Sequence, residues 1–309
     1  MDQNKKYLVA IVGPTAIGKT SLAIRVAKAL NCEIVSCDSR QFYREMSIGT
    51  AVPAPAELAE VPHHFIQSKS IFDIYTVGDF ERDAMEKITE LFKTDDYVVM
   101  VGGSGLYADA VLKGFDDFPE VDLEVRTRIS KTYARKGIEW LQEELAREDP
   151  EYFKVVAKLN PQRLMRALEV SVSSGKPYSS YLGIKQNNRP FTPIIIGLEA
   201  DRPVVYERIN ARVDQMMEEG FLAEAEALFP HRELNALQTV GYRELFSFLA
   251  KDFSFEFALD LIKKNTRNFS KRQMTWFRKN PDVKWFDYQM PDEKILKYIN
   301  KQVKKGNSN

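Results

Sequence analysis

Short apolar runs alternate with amphipathic segments through the first third of the chain. Residues 7–12 and 97–101 are almost wholly apolar, and residues 33–37 share that character, which is typical of interior strands in a parallel sheet. Between them, residues 79–92 place apolar side chains at helical spacing. This alternation predicts an α/β fold with a doubly wound parallel sheet, whose ligands bind at the carboxyl ends of the strands.

The pattern changes between residues 116 and 190. Three charged segments with helical periodicity replace the apolar strands: 123–136, 137–147 and 161–173. Strand character then returns at residues 193–198, in a run that would rejoin the parallel sheet. We therefore predict an inserted helical subdomain of residues 116–190.

The remaining residues are predicted to form the core of the fold. This core comprises residues 1–115 and 191–309, and its later part, residues 202–279, is mostly helical in pattern. The tail from Ile295 is rich in lysine and is expected to fray.

Composition narrows the class of protein. The chain has 309 residues, of which 44% are hydrophobic and 28% charged, with a formal net charge of zero. Any nucleic-acid surface must therefore come from local clustering of basic residues. Cys32 and Cys37 match no metal-ligand spacing and are expected to be buried thiols in a reducing compartment. The sequence shows no signal peptide or membrane-length apolar stretch, so we expect a cytoplasmic protein.

A complete phosphate-binding loop follows the first apolar run and precedes a helix-forming stretch. Its residues are Gly13, Pro14, Thr15, Ala16, Ile17, Gly18, Lys19 and Thr20. Glycines let successive backbone N–H groups turn towards phosphate oxygens, and the helix N-terminus adds partial positive charge. Lys19 would reach the outer phosphate, and Thr20 would offer its hydroxyl to Mg²⁺. The loop predicts binding of a di- or triphosphate group and leaves open whether a nucleotide carries that group.

Two polar side chains follow predicted strands and should project into the same crevice. Asp38 ends the second strand and could hold Mg²⁺ or act as a general base, or it could simply cap the following turn. Ser104 lies in the glycine-rich turn after the third strand. Its hydroxyl could donate to a phosphate oxygen or serve as an ordinary helix cap.

Further candidate site residues are arginines and a pair of histidines. Arg208 and Arg212 are four residues apart on a predicted helix and share one face, with Arg202 nearby. Such arginines can neutralise charge on a leaving group, and a solvated face with weak ion pairs is the equal alternative. His63 and His64 are explained at least as well by packing or hydrogen bonding as by chemistry.

Residues 263–279 hold seven basic side chains and no acidic one. Four basic side chains share one helical face: Lys264, Arg267, Lys271 and Arg278. An apolar stripe has a seven-residue spacing: Ile262, Phe269 and Trp276. Such a helix is expected to bury its aromatic side chains and present positive charge to a phosphate backbone. The absence of acids argues against a merely solvated face, and Arg163 and Arg166 add a basic helical turn in the insert.

The chain resembles the tRNA dimethylallyltransferases, also called tRNA isopentenylpyrophosphate transferases, along nearly its whole length. The resemblance rests on the phosphate loop and on these motifs: Asp38-Ser39, 46–51 (MSIGTA), 62–64 (PHH), 79–80 (DF), 101–107 (VGGSGLY), 160–169 (NPQRLMRALE), 240–244 (VGYRE) and 271–278 (KRQMTWFR). Two positions depart from the family pattern. Ser104 replaces a common threonine and keeps the hydroxyl, whereas Val52 replaces a usual lysine, which puts a charge role there in doubt.

The resemblance implies a P-loop-type α/β fold that transfers a dimethylallyl group from dimethylallyl diphosphate to N6 of adenine 37, beside the anticodon of tRNA. The loop would then hold an isoprenoid diphosphate, with Mg²⁺ bound through Thr20. An allylic C–O bond breaks readily when the departing diphosphate is stabilised. The adenine amine is a weak nucleophile, so a carboxylate that can accept its proton suits the reaction, and Asp38 fits this role. Arg212 matches the family's catalytic arginine, and the resemblance implies a catalytic set of Thr20, Asp38, Ser104 and Arg212.

Matching family positions imply tRNA contacts on four segments and two single residues. These are Asp38, Ser39, Arg40, Gln41, Ser104, Arg126, Gln162, Arg163, Leu164, Met165, Arg166, Gln238, Thr239, Val240, Gly241, Tyr242, Arg243, Lys271, Arg272, Gln273, Met274, Thr275, Trp276, Phe277 and Arg278. We expect the basic helix and the insert to grip opposite sides of the anticodon stem-loop. Nothing in the sequence demands more than a monomer.

Three other functions compete with this interpretation. A kinase of a small molecule or nucleotide would use the loop for ATP, although it would not need the basic helix. An RNA-binding module with a vestigial nucleotide fold would not need Asp38 for function. Prenylation of free adenine nucleotides is a variant of the leading hypothesis, and the basic helix argues against it.

Overall fold

The computed structural model describes residues 5–183 and 188–307, and a parallel β-sheet lies at its centre. The strands of this part of the chain are β1 (Tyr7–Val12), β2 (Ile34–Ser36), β3 (His63–His64), β4 (Tyr97–Gly102), β5 (Thr192–Glu199) and β6 (Lys284–Asp287). They run parallel in the order β3-β2-β4-β1-β5-β6. The doubly wound sheet predicted from the apolar runs is confirmed, including the return of the chain to the sheet at β5.

Helices connect the strands and follow them. They are α1 (Lys19–Leu30), α2 (Pro55–Glu60), α3 (Val77–Leu91), α4 (Gly105–Lys113), α5 (Leu123–Glu148), α6 (Pro150–Val155), α7 (Pro161–Ser174), α8 (Arg202–Glu218), α9 (Phe221–Leu228), α10 (Tyr242–Leu249), α11 (Phe255–Phe277) and α12 (Asp292–Asn307). The predicted helix at 79–92 corresponds to α3, which Thr76 caps through its side chain.

Alternate residues of β1 enter two hydrophobic layers, one on each face of the sheet. Tyr7, Val9 and Ile11 pack in one layer, whereas Leu8, Ala10 and Val12 pack in the other. Because successive side chains of a strand point to opposite faces, a strand buried on both faces must be apolar throughout. This rigid central strand delivers the phosphate-binding loop at its carboxyl end.

Residue contacts divide the chain into two compact units, Met1–Lys113 with Arg189–Asn309, and Gly114–Asn188. The described residues of the second unit are mainly helical, with Leu141, Leu145 and Leu164 fully buried in its core. The segments at 123–136 and 137–147 lie together in α5, broken at Gly137, whose φ of 81° departs from helical geometry.

The C-terminal part differs from the sequence-based expectation. The tail from Ile295 does not fray as expected, because it lies within α12, where Ile295 and Ile299 are buried against the layer that contains α1. Lysines occupy the exposed positions between these apolar residues, so overall polarity hid the amphipathic spacing. β6, a four-residue strand at the edge of the sheet that pairs with β5, was not predicted from the sequence.

Two further expectations concern the cysteines and the membrane. Cys32 and Cys37 are buried free thiols, as expected. Burial raises the pKa of Cys32 to about 12, which keeps this thiol protonated and unreactive at neutral pH. Among the helices of the described residues, none is both long and apolar enough to cross a membrane.

Candidate active site

The phosphate-binding loop joins β1 to α1 and needs glycine at both ends. Gly13 has a φ of 148°, and a Cβ there would lie 2.7 Å from the carbonyl oxygen of Leu198 on β5. Gly18 has a φ of 101° and directly precedes α1. The loop can therefore close against β5 and present the N-terminus of α1, whose partial positive charge attracts an anion.

Lys19 is the first residue of α1, and its ammonium group lies inside the loop. Its Nζ donates a hydrogen bond to the carbonyl oxygen of Pro14 over 2.7 Å. Loss of hydration lowers the pKa of Lys19 to about 8, while the charge of Asp38 opposes this shift and that of Arg212 adds to it. An anion that entered the loop would restore full protonation of Lys19.

Two arginines of α8 contact the loop from one helical face, as their spacing predicts. Arg208 donates from Nε to the carbonyl oxygen of Ala16 over 2.7 Å. Arg212 donates from Nη1 to Oγ1 of Thr15 over 3.4 Å. Burial lowers the pKa of Arg212, and Asp38 opposes that shift. Arginine nonetheless stays charged at neutral pH, so Arg212 supplies a partly dehydrated positive charge beside the loop.

Asp38 and Ser104 lie on adjacent loops that follow β2 and β4. One carboxylate oxygen of Asp38, Oδ1, accepts a hydrogen bond from the backbone N–H of Arg40 over 3.1 Å. The hydroxyl of Ser104 accepts from the backbone N–H of Ser39 over 3.0 Å and lies 3.0 Å from the Ser39 hydroxyl. One oxygen of Asp38 therefore caps the turn that follows it, as the alternative role of this residue predicted. The hydroxyl of Ser104 links the loop after β4 to the loop after β2.

A polar cavity of about 830 Å³ borders the helix end of the loop. Its walls include Gly18, Lys19, Thr20 and Arg208. These residues bring positive charge and a hydroxyl group to the space, which suits a diphosphate and a hard cation, and the carboxylates of Glu57 and Glu219 line it as well.

An aromatic cavity of about 470 Å³ borders the other end of the loop, beginning at Thr15. Its walls include Asp38 and Ser104 and four aromatic rings from three helices: Tyr107 of α4, Phe221 of α9, and Phe269 and Trp276 of α11. Ala51, Arg212 and Met216 line both cavities. Arg212 thus lies between a space suited to phosphate and a space suited to a flat ring, whereas Arg202 lines neither cavity in the described chain.

Gln273 on α11 forms hydrogen bonds to both glycine-rich loops, the phosphate-binding loop and the loop that follows β4. Its side chain is 5% exposed. It accepts a hydrogen bond from the N–H of Thr15 over 2.9 Å and donates one to the carbonyl oxygen of Gly103 over 2.9 Å. A Cβ at Gly103 would lie 2.3 Å from this amide nitrogen. From the sequence, Gln273 was predicted only as an RNA contact. Its spacing of four from the buried Phe277 was the signal that could have marked it as buried.

Replacing Gln273 with methionine is expected to lower the free energy of unfolding by about 1–3 kcal/mol. It should also weaken binding of inorganic diphosphate roughly 3- to 10-fold, because both loops lose a hydrogen-bonding partner. Denaturant unfolding and calorimetry measure the two effects. The same replacement at the exposed Gln289 serves as the control. Loss of stability with unchanged diphosphate affinity would show that Gln273 only fills space.

The residues matched to tRNA contacts differ in exposure. Leu164, Tyr242, Gln273 and Phe277 have buried side chains, so they can shape the surface but present little of themselves to an RNA. The exposed members carry most of the basic charge: Arg126, Arg163, Arg243, Lys271, Arg272 and Arg278. The assignment of tRNA contacts remains a prediction, carried by these exposed side chains.

The segment Asp38–Gln41 is also engaged within the protein. Arg40 donates to the carbonyl oxygens of Asn235 and Ala236 over 3.1 and 2.9 Å. Gln41 donates to those of Thr50 and Ala51 over 3.2 and 2.8 Å. These bonds fix the walls of the aromatic cavity, because Thr50 and Ala51 belong to its lining.

The basic helix α11 is partly neutralised by its neighbours. Lys263 pairs with Asp214 of α8 over 2.5 Å, and Arg278 pairs with Glu199 of β5 over 3.0 Å. The segment itself contains no acidic residue, but acidic residues of other elements pack beside it. Its free positive charge is therefore smaller than the sequence predicted. Its aromatics are also less buried than expected: Phe269 is 37% exposed, at the wall of the aromatic cavity.

The histidine pair lies apart from both cavities in the described chain. Nε2 of His64 lies 2.6 Å from Oε2 of Glu33, and Nδ1 of His63 lies 2.7 Å from the carbonyl oxygen of Val61. Burial lowers the pKa of His63. These contacts favour the hydrogen-bonding role over a chemical one.

The chain is similar to known proteins along most of its length. A family model described as IPP transferase matches residues 41–280. The chain is 59% identical to the tRNA dimethylallyltransferase of Flavobacterium johnsoniae, over 97% of this chain and 99% of that protein. It is 57% identical to the enzyme of the same name from Flavobacterium psychrophilum, over 96% of this chain and 99% of that protein.

Solved structures give the same result. The full-length tRNA isopentenylpyrophosphate transferase from Bacillus halodurans is 36% identical and covers 98% of this chain and 99% of its own, with a TM-score of 0.74. Because the family model covers more than half of the chain and the relatives match it nearly from end to end, the chain belongs to the IPP transferase family.

Proposed function

We propose that this chain is a tRNA dimethylallyltransferase, which transfers a dimethylallyl group from dimethylallyl diphosphate to N6 of adenine 37 in tRNA. The observation that carries the proposal is the pair of cavities that share Arg212, one lined by the phosphate-binding loop and the other by Asp38 and aromatic rings. A donor and an acceptor can thus approach each other across a single guanidinium group.

The polar cavity is proposed to hold the diphosphate of the donor. Backbone N–H groups of the loop, Lys19, Arg208 and Arg212 would surround the phosphate oxygens. The hydroxyl of Thr20 is a hard oxygen donor and fits Mg²⁺, which commonly takes few protein ligands and completes its shell with phosphate oxygens and water. Bound there, the ion would neutralise charge on the departing diphosphate.

The aromatic cavity is proposed to hold the target adenine. A base in an anticodon loop leaves its stack at a smaller cost than a base in a duplex, and aromatic side chains provide a new stacking surface. Phe269 and Trp276 lie where α11 borders this cavity. Oδ1 of Asp38 accepts from Arg40, which leaves Oδ2 available to accept a proton.

The proposed reaction exchanges one bond for another. The C–O bond between the allylic carbon and diphosphate breaks, the adenine N6 forms a bond to that carbon, and an N6 proton passes to Asp38. Arg212 and Lys19 stabilise the negative charge that develops on the diphosphate. This chemistry consumes no ATP, and the phosphate-binding loop serves only to hold a leaving group.

The remaining partners follow from the substrate. Exposed basic residues of α11 and of the second unit are proposed to contact phosphates of the anticodon stem-loop. The enzyme is proposed to work as a monomer in the cytoplasm, because both cavities are lined by one chain and the substrate is tRNA.

Donor affinity is expected to fall as the pH rises above about 8. Dehydration holds the pKa of Lys19 in the free protein at about 8, and a bound diphosphate would raise that pKa. The complex then binds more protons than the free protein above that pH. Affinity is therefore fully present below about pH 8 and declines at higher pH. Calorimetry across this range measures the decline. Lys19→Arg should abolish the part of the slope due to residue 19, and an identical slope in this variant would contradict the assignment.

The proposed function is tested by incubating the protein with unmodified tRNA, dimethylallyl diphosphate and Mg²⁺, followed by nucleoside mass spectrometry. Prenylated adenosine should appear with tRNA that carries adenine at position 37 and be absent when guanine replaces it. Prenylation of free AMP at a similar rate would favour the nucleotide-modifying variant. A lack of any prenylated product, with ATP-dependent phosphorylation of a small molecule instead, would favour the kinase.

A further inference from the structure

Glu224, which lines neither cavity in the described chain, accepts hydrogen bonds from two segments that border the cavities. Glu224 lies on α9, and its carboxylate accepts four hydrogen bonds. Oε2 accepts from the N–H groups of Ser47 and Ile48 over 2.9 and 2.8 Å. Oε1 accepts from the N–H of Gly49 over 2.9 Å and from the hydroxyl of Tyr242 over 2.6 Å.

The loop held by Glu224, residues 47–52, forms part of both cavities. Ser47, Ile48 and Val52 line the polar cavity, Gly49 and Thr50 line the aromatic cavity, and Ala51 lines both. Tyr242 begins α10 directly after residues 238–241, which also line the aromatic cavity. One carboxylate therefore fixes two segments that face the substrates.

Three consecutive backbone N–H groups that converge on one point form an anion-binding concavity. In this loop the Glu224 carboxylate fills that concavity. The N–H groups are thereby satisfied by the protein itself, so they do not compete with the phosphate-binding loop for the diphosphate.

Packing leaves the two segments little freedom to separate from α9. A Cβ at Gly49 would lie 2.2 Å from Cε2 of Phe221 and 2.7 Å from Cε2 of Tyr242. A Cβ at Gly241 would lie 2.9 Å from Cζ of Phe221. Burial, together with the negative charge of Glu224, raises the pKa of Tyr242, so its hydroxyl remains a donor at neutral pH.

We propose that Glu224 is a positioning residue for the transfer reaction, which sets the wall shared by the donor and acceptor cavities by linking the 47–52 loop to Tyr242. The proposal rests on the proposed function. Within the described chain Glu224 lines neither cavity, so it acts through the loop and does not touch the reacting atoms.

The test compares Glu224→Gln, Tyr242→Phe and the double variant with Glu226→Gln, an exposed position on the same helix. Glutamine retains the size of the side chain but offers one acceptor oxygen, so kcat/KM is expected to fall about 10- to 100-fold for both substrates. Tyr242→Phe removes one neutral donor and should cost about 3- to 10-fold. The double variant should be little worse than Glu224→Gln alone, because both changes remove the same link. Glu226→Gln should match the wild type.

Kinetic constants are measured well below the unfolding midpoint of each variant, on folded protein quantified by circular dichroism. A positioning role predicts a raised KM for dimethylallyl diphosphate together with a lowered kcat. A purely structural role predicts a lower midpoint with both constants unchanged in the folded fraction, and that result would overturn the proposal, as would effects that multiply in the double variant. Wild-type protein that fails to prenylate tRNA would refute the proposed function, whereas active wild type with an unaffected Glu224→Gln variant refutes only this inference.

Discussion

Replacing Asp38 with asparagine is expected to lower kcat about 10²- to 10⁴-fold while tRNA affinity changes little. Asparagine keeps the shape of the side chain and an oxygen that can accept from the Arg40 N–H, the contact made by Oδ1. It cannot accept a proton from the adenine amine. The loop geometry should therefore survive, and only the proton transfer should be lost. Single-turnover rates at saturating tRNA, together with a binding titration, separate the two effects.

The matched control for this prediction is Asp252→Asn, at an exposed position in the turn after α10. It removes one negative charge at a residue that lines neither cavity in the described chain, and it should leave the rate unchanged. If Asp38→Asn weakened tRNA binding and preserved the single-turnover rate, Asp38 would be an RNA contact and some other group would accept the proton. Activity indistinguishable from wild type would remove Asp38 from the catalytic set altogether.

Replacing Arg212 with alanine is expected to lower kcat about 10²- to 10³-fold. Its guanidinium group lies on the boundary of both cavities and donates to Thr15 over 3.4 Å. Because its side chain is partly shielded from water, its charge acts on the diphosphate through a medium less polar than bulk water. The leaving group gains negative charge as the C–O bond breaks, so the substitution should slow mainly the chemical step.

Arg212→Lys tests whether charge alone suffices. Lysine keeps the positive charge but loses the planar fork that can hold two oxygens, so we expect only partial recovery of kcat. Arg202→Ala on the same helix is the control, since Arg202 is exposed and lines neither cavity in the described chain. An Arg212→Ala variant with a raised KM and a normal kcat would show that Arg212 binds the donor without stabilising the transition state.

The sheet and the phosphate-binding loop could be predicted from sequence because each follows from a local rule. A strand buried on both faces must be apolar at every position, and β1 and β4 satisfy that rule. Carboxyl ends of parallel strands meet at one edge, so Thr15, Asp38 and Ser104 could be placed in one crevice, and all three line the aromatic cavity. The pairing of Arg208 with Arg212 followed from helical spacing in the same way.

What the sequence could not supply depends on contacts between distant segments. Gln273 joins loops that lie 258 and 170 residues away along the chain, and Glu224 joins the 47–52 loop to Tyr242. Helical spacing marks Gln273 as buried, but neither set of hydrogen-bonding partners leaves a signal in the sequence. The division of the site into two cavities that share Arg212 likewise arises from the packing of α8 against the loop. The charge of α11 was overstated because Asp214 and Glu199 belong to other elements.

The phosphate-binding loop is proposed to hold the leaving group of an alkyl transfer. A reaction with excess unmodified tRNA, limiting dimethylallyl diphosphate and no ATP tests it most directly, with released diphosphate and prenylated adenosine quantified from the same samples. If the loop holds the leaving group, the two products should appear at the same rate and in equal amounts. Diphosphate release without adenosine modification, or a requirement for ATP, would contradict it.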